Sequence, residues 1–134
     1  DRAVALLQQD HKLQKIVKLI GEDALPDEQR LIIEGARLLK EALLQQGAFD
    51  EVDTYATPER QLWMLKIILH FYDRASKIIK NGAPIYRIRE MAIIDDINRM
   101  KARIPNDQIE KFEELFRRMN VAFDKLEQDY AGVF

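Results

Sequence analysis

The sequence predicts an all-α fold, a helical bundle of about five helices with short connections marked by proline and glycine. Apolar residues recur at the three- and four-residue spacing of amphipathic helices. No stretch alternates with period two for long enough to form a sheet. The five glycines and four prolines are few for 134 residues, which argues against a turn-rich β fold. We therefore expect a single domain over residues 1–134 that is large enough to bury a core.

Two helices are predicted before residue 47. The first covers about Arg2 to Ile20 and ends at Gly21. The second begins at Pro26, because a proline at the first helical position loses no intrahelical hydrogen bond, and it ends at Gly47. The expected apolar face of the first helix comprises Leu6, Leu13, Ile16, Val17 and Ile20. The expected stripe of the second comprises Leu31, Ile32, Gly35, Leu38, Leu39, Ala42 and Leu43.

The third helix is predicted to be the central one. Thr57 supplies an N-cap hydroxyl, Pro58 occupies the first helical position, and the helix continues to about Lys80. Apolar residues cover much of its circumference, which is typical of a helix surrounded by others. Aromatic residues at helical spacing are expected in the core, namely Trp63, Phe71, Tyr72, Phe112, Phe116 and Phe123.

Two proline-containing boundaries divide the remainder of the chain. A short helix through about Met91 follows the first boundary, and a further helix covers Ile93 to Arg103 after a break. The last helix follows the second boundary and continues to about Tyr130, with Asn106 or Asp107 as its cap.

Several classes of function lack the residues that they require. The net charge of −2 comes from 21 basic and 23 acidic residues spread along the chain, which argues against a nucleic-acid partner. The chain has no cysteine, and no apolar run approaches the ~18 residues of a membrane-spanning helix. The two histidines, His11 and His70, lie on different helices without a partner at metal-ligand spacing, so we expect structural roles for them.

No phosphate-binding loop of the form GxxxxGK[ST] occurs, so we do not expect this chain alone to hydrolyse a nucleotide. The chain opens at Asp1, already within a helical pattern and without an initiator methionine. We expect it to be a fragment of a longer protein.

The stretch GEDALPDEQR, between the first two predicted helices, places four carboxylates and one proline within ten residues. Asp27 and Glu28 lie in the first helical turn, where carboxylates meet the positive end of the helix dipole. The carboxylates of Glu22 and Asp23 would keep the turn before this helix in contact with water. The residues alone leave open whether this stretch simply starts a helix or offers a stiff, hydrated surface to a partner.

Four other stretches carry a resemblance to a known family. LLQQGAFDEVDTY is followed, six residues after Tyr55, by QLWMLKIILHFYDRA, and similarity continues to INRMK and FDKLE. Together they resemble the C-terminal helical domain of the catalytic A subunit of A- and V-type rotary ATP synthases. The resemblance covers almost the whole chain. It implies a parent subunit that also contains a β-barrel and a nucleotide-binding domain. That subunit would bind ATP or ADP with Mg, and we expect no nucleotide or Mg bound to this chain alone.

The resemblance also implies partners. These are the upstream nucleotide-binding domain, the central rotor stalk and the non-catalytic B subunit, in a complex that is cytoplasmic and peripheral on the membrane, without insertion of this chain. The helical domain would couple ATP hydrolysis or synthesis to rotation and to transport of protons or sodium ions. The competing hypothesis is a free-standing helical adaptor, which should expose a contiguous apolar groove. A small ligand-binding bundle would need convergent polar groups inside, and the pattern shows none.

Two sets of site residues follow from the resemblance. GEDALPDEQR takes the place of the acidic DELSEED loop of related F-type catalytic subunits, with proline and glutamine where that motif has serine and aspartate. The implied rotor-facing residues are Glu22, Asp23, Leu25, Pro26, Asp27 and Glu28. Phe49 and Tyr55 match two aromatic residues that line the adenine pocket in F-type relatives. Stacking on a base suits flat side chains, but both could instead fill the gap between the second and third helices.

Overall fold

The computed structural model describes residues 1–44 and 57–130, and all regular structure within them is helical. The six α-helices are α1 (Arg2–Ile20), α2 (Asp27–Leu39), α3 (Pro58–Lys80), α4 (Ile85–Arg89), α5 (Ile93–Arg103) and α6 (Ile109–Gln128). A 3₁₀ turn at Glu22–Ala24 connects α1 with α2, and a π-helical turn at Lys40–Leu44 extends α2. The all-α fold is confirmed, and the predicted break after Met91 separates α4 from α5.

Two helix ends follow directly from the chemistry of single residues. Gly21 ends α1 with a φ of 86°, a backbone conformation that a side chain disfavours. Thr57 caps α3, since its hydroxyl accepts a hydrogen bond of 3.2 Å from the N–H of Arg60, and Pro58 takes the first helical position. Both predictions are confirmed.

The predicted start of the second helix was wrong by one residue. Pro26 precedes α2 as its N-cap, with an extended ψ of 154°, and its carbonyl accepts from the N–H groups of Gln29 and Arg30 at 3.0 Å. The extended ψ lets the chain turn out of the 3₁₀ segment before the helix begins. At the other end, regular α-helix stops at Leu39, where the wider π turn takes over. Gly47 lies outside the described residues.

The predicted cap of the last helix was also wrong. The N-cap of α6 is Gln108, not Asn106 or Asp107. The Asn106 side chain accepts a hydrogen bond of 3.2 Å from the backbone N–H of Thr57. Because this side chain serves the beginning of α3, it is not the cap of its own helix.

The core surrounds α3, as predicted. This helix contacts α1, α2, α5 and α6, and its fully buried side chains include Met64, Ile67, Ile68, Phe71 and Ala75. The prediction that six aromatic residues belong to the core is confirmed, although they differ in how deeply they are buried. Phe71, Phe112 and Phe123 are fully buried, whereas Trp63, Tyr72 and Phe116 are partly buried and pack against the core from its edge.

The predicted apolar face of α1 was half wrong. Leu6 and Leu13 are buried, but Ile16 and Ile20 are exposed. Helix α1 packs mainly on α2 and touches α3 much less. Its last turns are therefore not covered within the described part of the chain, and the apolar residues there face outward.

Candidate functional site

Residues 21–28, the turn between α1 and α2 together with the first two residues of α2, form an acidic segment that we call the acidic tip. Gly21 ends α1 with a positive φ, and the 3₁₀ turn follows immediately. Leu25 is buried and extended, so its side chain anchors the tip against the bundle. Pro26 then fixes the backbone at the entrance to α2. The local sequence thus makes the turn short and stiff.

Two of the four carboxylates in the acidic tip are engaged by the fold. Glu22 forms an ion pair of 2.8 Å with Arg89 at the end of α4. Asp27 accepts a hydrogen bond of 2.9 Å from the N–H of Ile85, the first residue of α4. Sequence reasoning could not find this second role, since Ile85 lies 58 positions further along the chain. These two contacts connect the acidic tip to α4.

The outward surface of the acidic tip consists of Asp23, Pro26 and Glu28, which are all exposed. The Asp23 side chain is 99% exposed, and its contact with Arg30 is long, at 3.4 Å. Such an exposed pair adds little to stability because water screens both charges. The structure thus divides the six sequence-predicted residues into three exposed ones and three that support them, namely Glu22, Leu25 and Asp27.

An exposed apolar patch directly precedes the acidic tip. It consists of Ile16, Leu19 and Ile20 on the last turns of α1, with exposed fractions of 40%, 85% and 61%. Single exposed apolar residues are ordinary, but a cluster beside a charged turn indicates a contact surface. Sequence reasoning placed Ile16 and Ile20 on the apolar face of the first helix and did not single out Leu19. Leu19 lies outside the predicted apolar face of this helix, and this position was the sign in the sequence that its side chain would be exposed.

An ion pair between a buried carboxylate and a half-exposed lysine connects α1 with the end of α2. The Asp10 carboxylate is buried and lies 2.8 Å from Nζ of Lys40, the first residue of the π turn. It also accepts a hydrogen bond of 3.0 Å from Nε2 of Gln14. A buried carboxylate requires such partners to offset its loss of hydration. The helix that leads into the acidic tip is thereby fastened to the beginning of the connection towards α3.

The proposed adenine residues, Phe49 and Tyr55, lie outside the described residues. The structure therefore leaves their role as a prediction. What it does describe are the two flanks of their connection, the π turn that ends at Leu44 and the helix start at Thr57.

The other titratable groups of the described residues do not form a candidate catalytic or metal site. Within the described residues, no group of three or more His, Asp or Glu side chains is arranged to hold a metal ion. His11 is exposed, and Nε2 of His70 lies 2.7 Å from the side-chain oxygen of Asn120. Burial raises the pKa of the Tyr72 phenol, and the nearby carboxylate of Asp73 adds to the effect.

In residues 1–44 and 57–130, no helix combines the length and apolar character that crossing a membrane requires.

Fold and site together define an all-α domain whose exposed chemistry suits contact with another surface. A family model described as the C-terminal domain of V and A type ATP synthase matches residues 1–89. The chain belongs to this family.

Individual relatives extend the similarity beyond residue 89. The V-type ATP synthase alpha chain of Halothermothrix orenii is 48% identical over 128 residues, which is 96% of this chain and 22% of that protein. The A subunit of the A-type ATP synthase of Methanopyrus kandleri is 47% identical over 127 residues, 94% of this chain and 21% of its own length. The V-type ATP synthase alpha chain 2 of Clostridium tetani is 44% identical over 130 residues, which is 97% of this chain and 22% of that protein. The chain thus spans about a fifth of the length of these curated relatives.

Proposed function

We propose that this chain is the C-terminal lever domain of the catalytic A subunit of an A/V-type rotary ATP synthase. It would couple ATP hydrolysis or synthesis to rotation of the central stalk, and so to transport of protons or sodium ions. The observation that carries the proposal is the similarity of nearly the whole chain to about a fifth of an ATP synthase alpha chain. Residues 1–134 would then form one domain, joined to a nucleotide-binding domain of the same subunit.

The acidic tip is the part of the domain that we assign to the rotor stalk. Asp23, Pro26 and Glu28 are exposed and offer a stiff surface with hydrated charges. A hydrated surface can slide, because no dry apolar contact has to be broken at each step. Glu22, Leu25 and Asp27 contribute indirectly, since their contacts within the bundle set the position of the exposed residues. The apolar patch on α1 adjoins this surface but is not part of the sliding contact that we assign to the acidic tip.

The nucleotide would bind mainly to the upstream domain. ATP or ADP with Mg would be held there, and Phe49 and Tyr55 would add stacking contacts to the adenine ring. Stacking cannot position phosphates, so the isolated chain should hydrolyse no ATP above the background rate. The domain would also face the non-catalytic B subunit, in a complex on the cytoplasmic side of a membrane and peripheral to it.

Reversing the charge of the acidic tip tests the lever function. In the complete ATP synthase, the double variant Asp23→Lys/Glu28→Lys should keep its affinity for ATP but transport fewer ions for each ATP hydrolysed. The matched control is Glu113→Lys, an exposed carboxylate on α6 away from the acidic tip. If the double variant and the control transport ions equally well, the assignment of the acidic tip to the rotor is wrong.

A further inference from the structure

A groove of about 250 Å³ lies between the end of α5 and the first half of α6. Its floor consists of buried apolar side chains, Met100 and Ile104 from the end of α5 and Leu115 from α6. Pockets for small molecules usually hold about 300–1,000 Å³ and enclose most of the ligand. This groove is smaller and open to the surface, so it suits a projecting side chain of a partner.

The rim of this groove is charged. The charged side chains on it are Asp96, Arg103, Lys111, Glu114 and Arg118. Both carboxylates have arginine partners within the chain. The Asp96 carboxylate lies 2.9 Å from Nη1 of Arg118. The Glu114 carboxylate accepts a hydrogen bond of 3.1 Å from Nε of Arg117. These two acids are therefore compensated already, and they do not neutralise the other cations of the rim.

Arg103 and Lys111 are the cations that remain, and both are exposed. Within residues 1–44 and 57–130, neither side chain forms an ion pair or a hydrogen bond. The rim thus carries an excess of positive charge, although the chain as a whole has a net charge of −2. We call the groove with these two cations the basic groove.

Lys111 lies in an unfavourable place for a lysine. Helix α6 begins at Ile109, so Lys111 is in its first turn, where the helix dipole is positive. A carboxylate at this position would stabilise the helix, whereas a cation is repelled there. The charge of Lys111 therefore does not serve the stability of α6. Residues that break a local rule in this way are expected at functional sites.

We propose that the basic groove binds an acidic segment of a neighbouring subunit, with an apolar side chain of that segment on the floor and its carboxylates on Arg103 and Lys111. Because a neighbouring subunit is required, the inference rests on the proposed function. An apolar centre with a polar rim is the usual arrangement of a protein–protein contact. A free phosphate could pair with the cations, but it would leave the apolar floor without a partner, so a protein segment fits the groove better.

Zero-length crosslinking of the complete ATP synthase tests this inference. A water-soluble carbodiimide joins a lysine amine to a carboxylate only where the two are in contact, and mass spectrometry identifies both residues. We expect Lys111 to be joined to an aspartate or glutamate of another subunit. Lys111→Arg should abolish this product, because it keeps the charge but removes the amine. Lys125→Arg, at an exposed lysine in the last turn of α6, should leave the product unchanged.

Arg103→Glu tests whether charge holds the acidic segment in the groove. The substitution replaces an attraction at the rim with a repulsion, so the yield of the Lys111 crosslink should fall about 5-fold. Arg99→Glu is the matched control, since Arg99 is an exposed arginine of the same helix that does not line the groove, and it should leave the yield unchanged. Equal yields from Arg103→Glu and the parent would overturn the inference.

The composition of the purified complex separates failure of the basic groove from failure of the proposed function. If the chain does not purify with a rotor stalk and a B subunit, the proposed function is wrong, and the inference about the groove falls with it. If the chain does purify with them, but Lys111 is joined only to its own chain, to a second copy of this chain or to no carboxylate, the inference about the groove alone is wrong.

Discussion

Replacing Lys40 with methionine is expected to destabilise the domain by leaving the Asp10 carboxylate without its cationic partner. The Asp10 side chain is only 2% exposed, whereas the Lys40 side chain is 46% exposed. Breaking a fully buried pair costs about 3–5 kcal/mol. Because water reaches Lys40 and Gln14 still donates to Asp10, we expect a smaller loss, about 2 kcal/mol. For a domain of this size, that lowers Tm by about 6–10 °C.

Urea unfolding followed by circular dichroism measures this change. Arg99→Met is the matched control, since Arg99 forms an exposed pair of 3.6 Å with Asp95, and its loss should cost less than ~0.5 kcal/mol. The double variant Asp10→Asn/Lys40→Met should recover part of the loss, because a neutral amide in place of the carboxylate needs no cation. Equal free energies of unfolding for Lys40→Met and Arg99→Met would refute the reasoning.

Three further predictions concern contacts between α2 and its neighbouring helices. Asp27→Ala removes the acceptor of the hydrogen bond from the N–H of Ile85 at the start of α4, and it should lower the free energy of unfolding by about 1 kcal/mol in denaturant titrations. The control Glu28→Ala, at an exposed side chain, should lower it by less than ~0.5 kcal/mol. A Cβ atom at Gly35 would lie 3.1 Å from the Leu6 side chain and 3.2 Å from the Tyr72 side chain. Gly35→Val should therefore lower the free energy of unfolding by about 1–3 kcal/mol, and a Tm equal to that of the parent would contradict this packing. Burial raises the pKa of Tyr72 above 10.0, so the folded chain holds the phenol proton more tightly than the unfolded chain does. This stabilisation is present below pH 10.0 and is lost as pH rises through the folded pKa, so Tyr72→Phe should lose less stability above pH 10.0 in an alkaline unfolding series.

Local chemistry allowed most helix positions to be predicted from the sequence. Gly21 and the Thr57-Pro58 pair act within one helical turn, so their effect is readable without knowledge of the remaining fold. The apolar circumference of α3 similarly predicted its central place. The positions that failed depend on distant partners. Asn106 does not cap its own helix because its side chain accepts from Thr57, 49 positions away.

The location of the candidate site stays a prediction from the sequence, and the sequence did not indicate which of its side chains are exposed. The acidic run and the resemblance both pointed to residues 21–28, whereas the division into exposed and supporting side chains depends on α4 and its Arg89. Buried charges were also beyond sequence reasoning. Asp10 and Arg60 look like ordinary surface residues in an amphipathic pattern, and only their partners in other helices explain their burial.

A cysteine introduced at the acidic tip tests the lever assignment most directly. This chain contains no cysteine, so Asp23→Cys would be its only one, in a complex whose other cysteines have been replaced. After labelling with a cysteine-directed photo-crosslinker, illumination should join the labelled chain to the central rotor stalk and stop ATP-driven rotation. Glu113→Cys, on α6, should give neither result. Crosslinks from Asp23→Cys that never include the rotor stalk, with rotation continuing, would contradict the account.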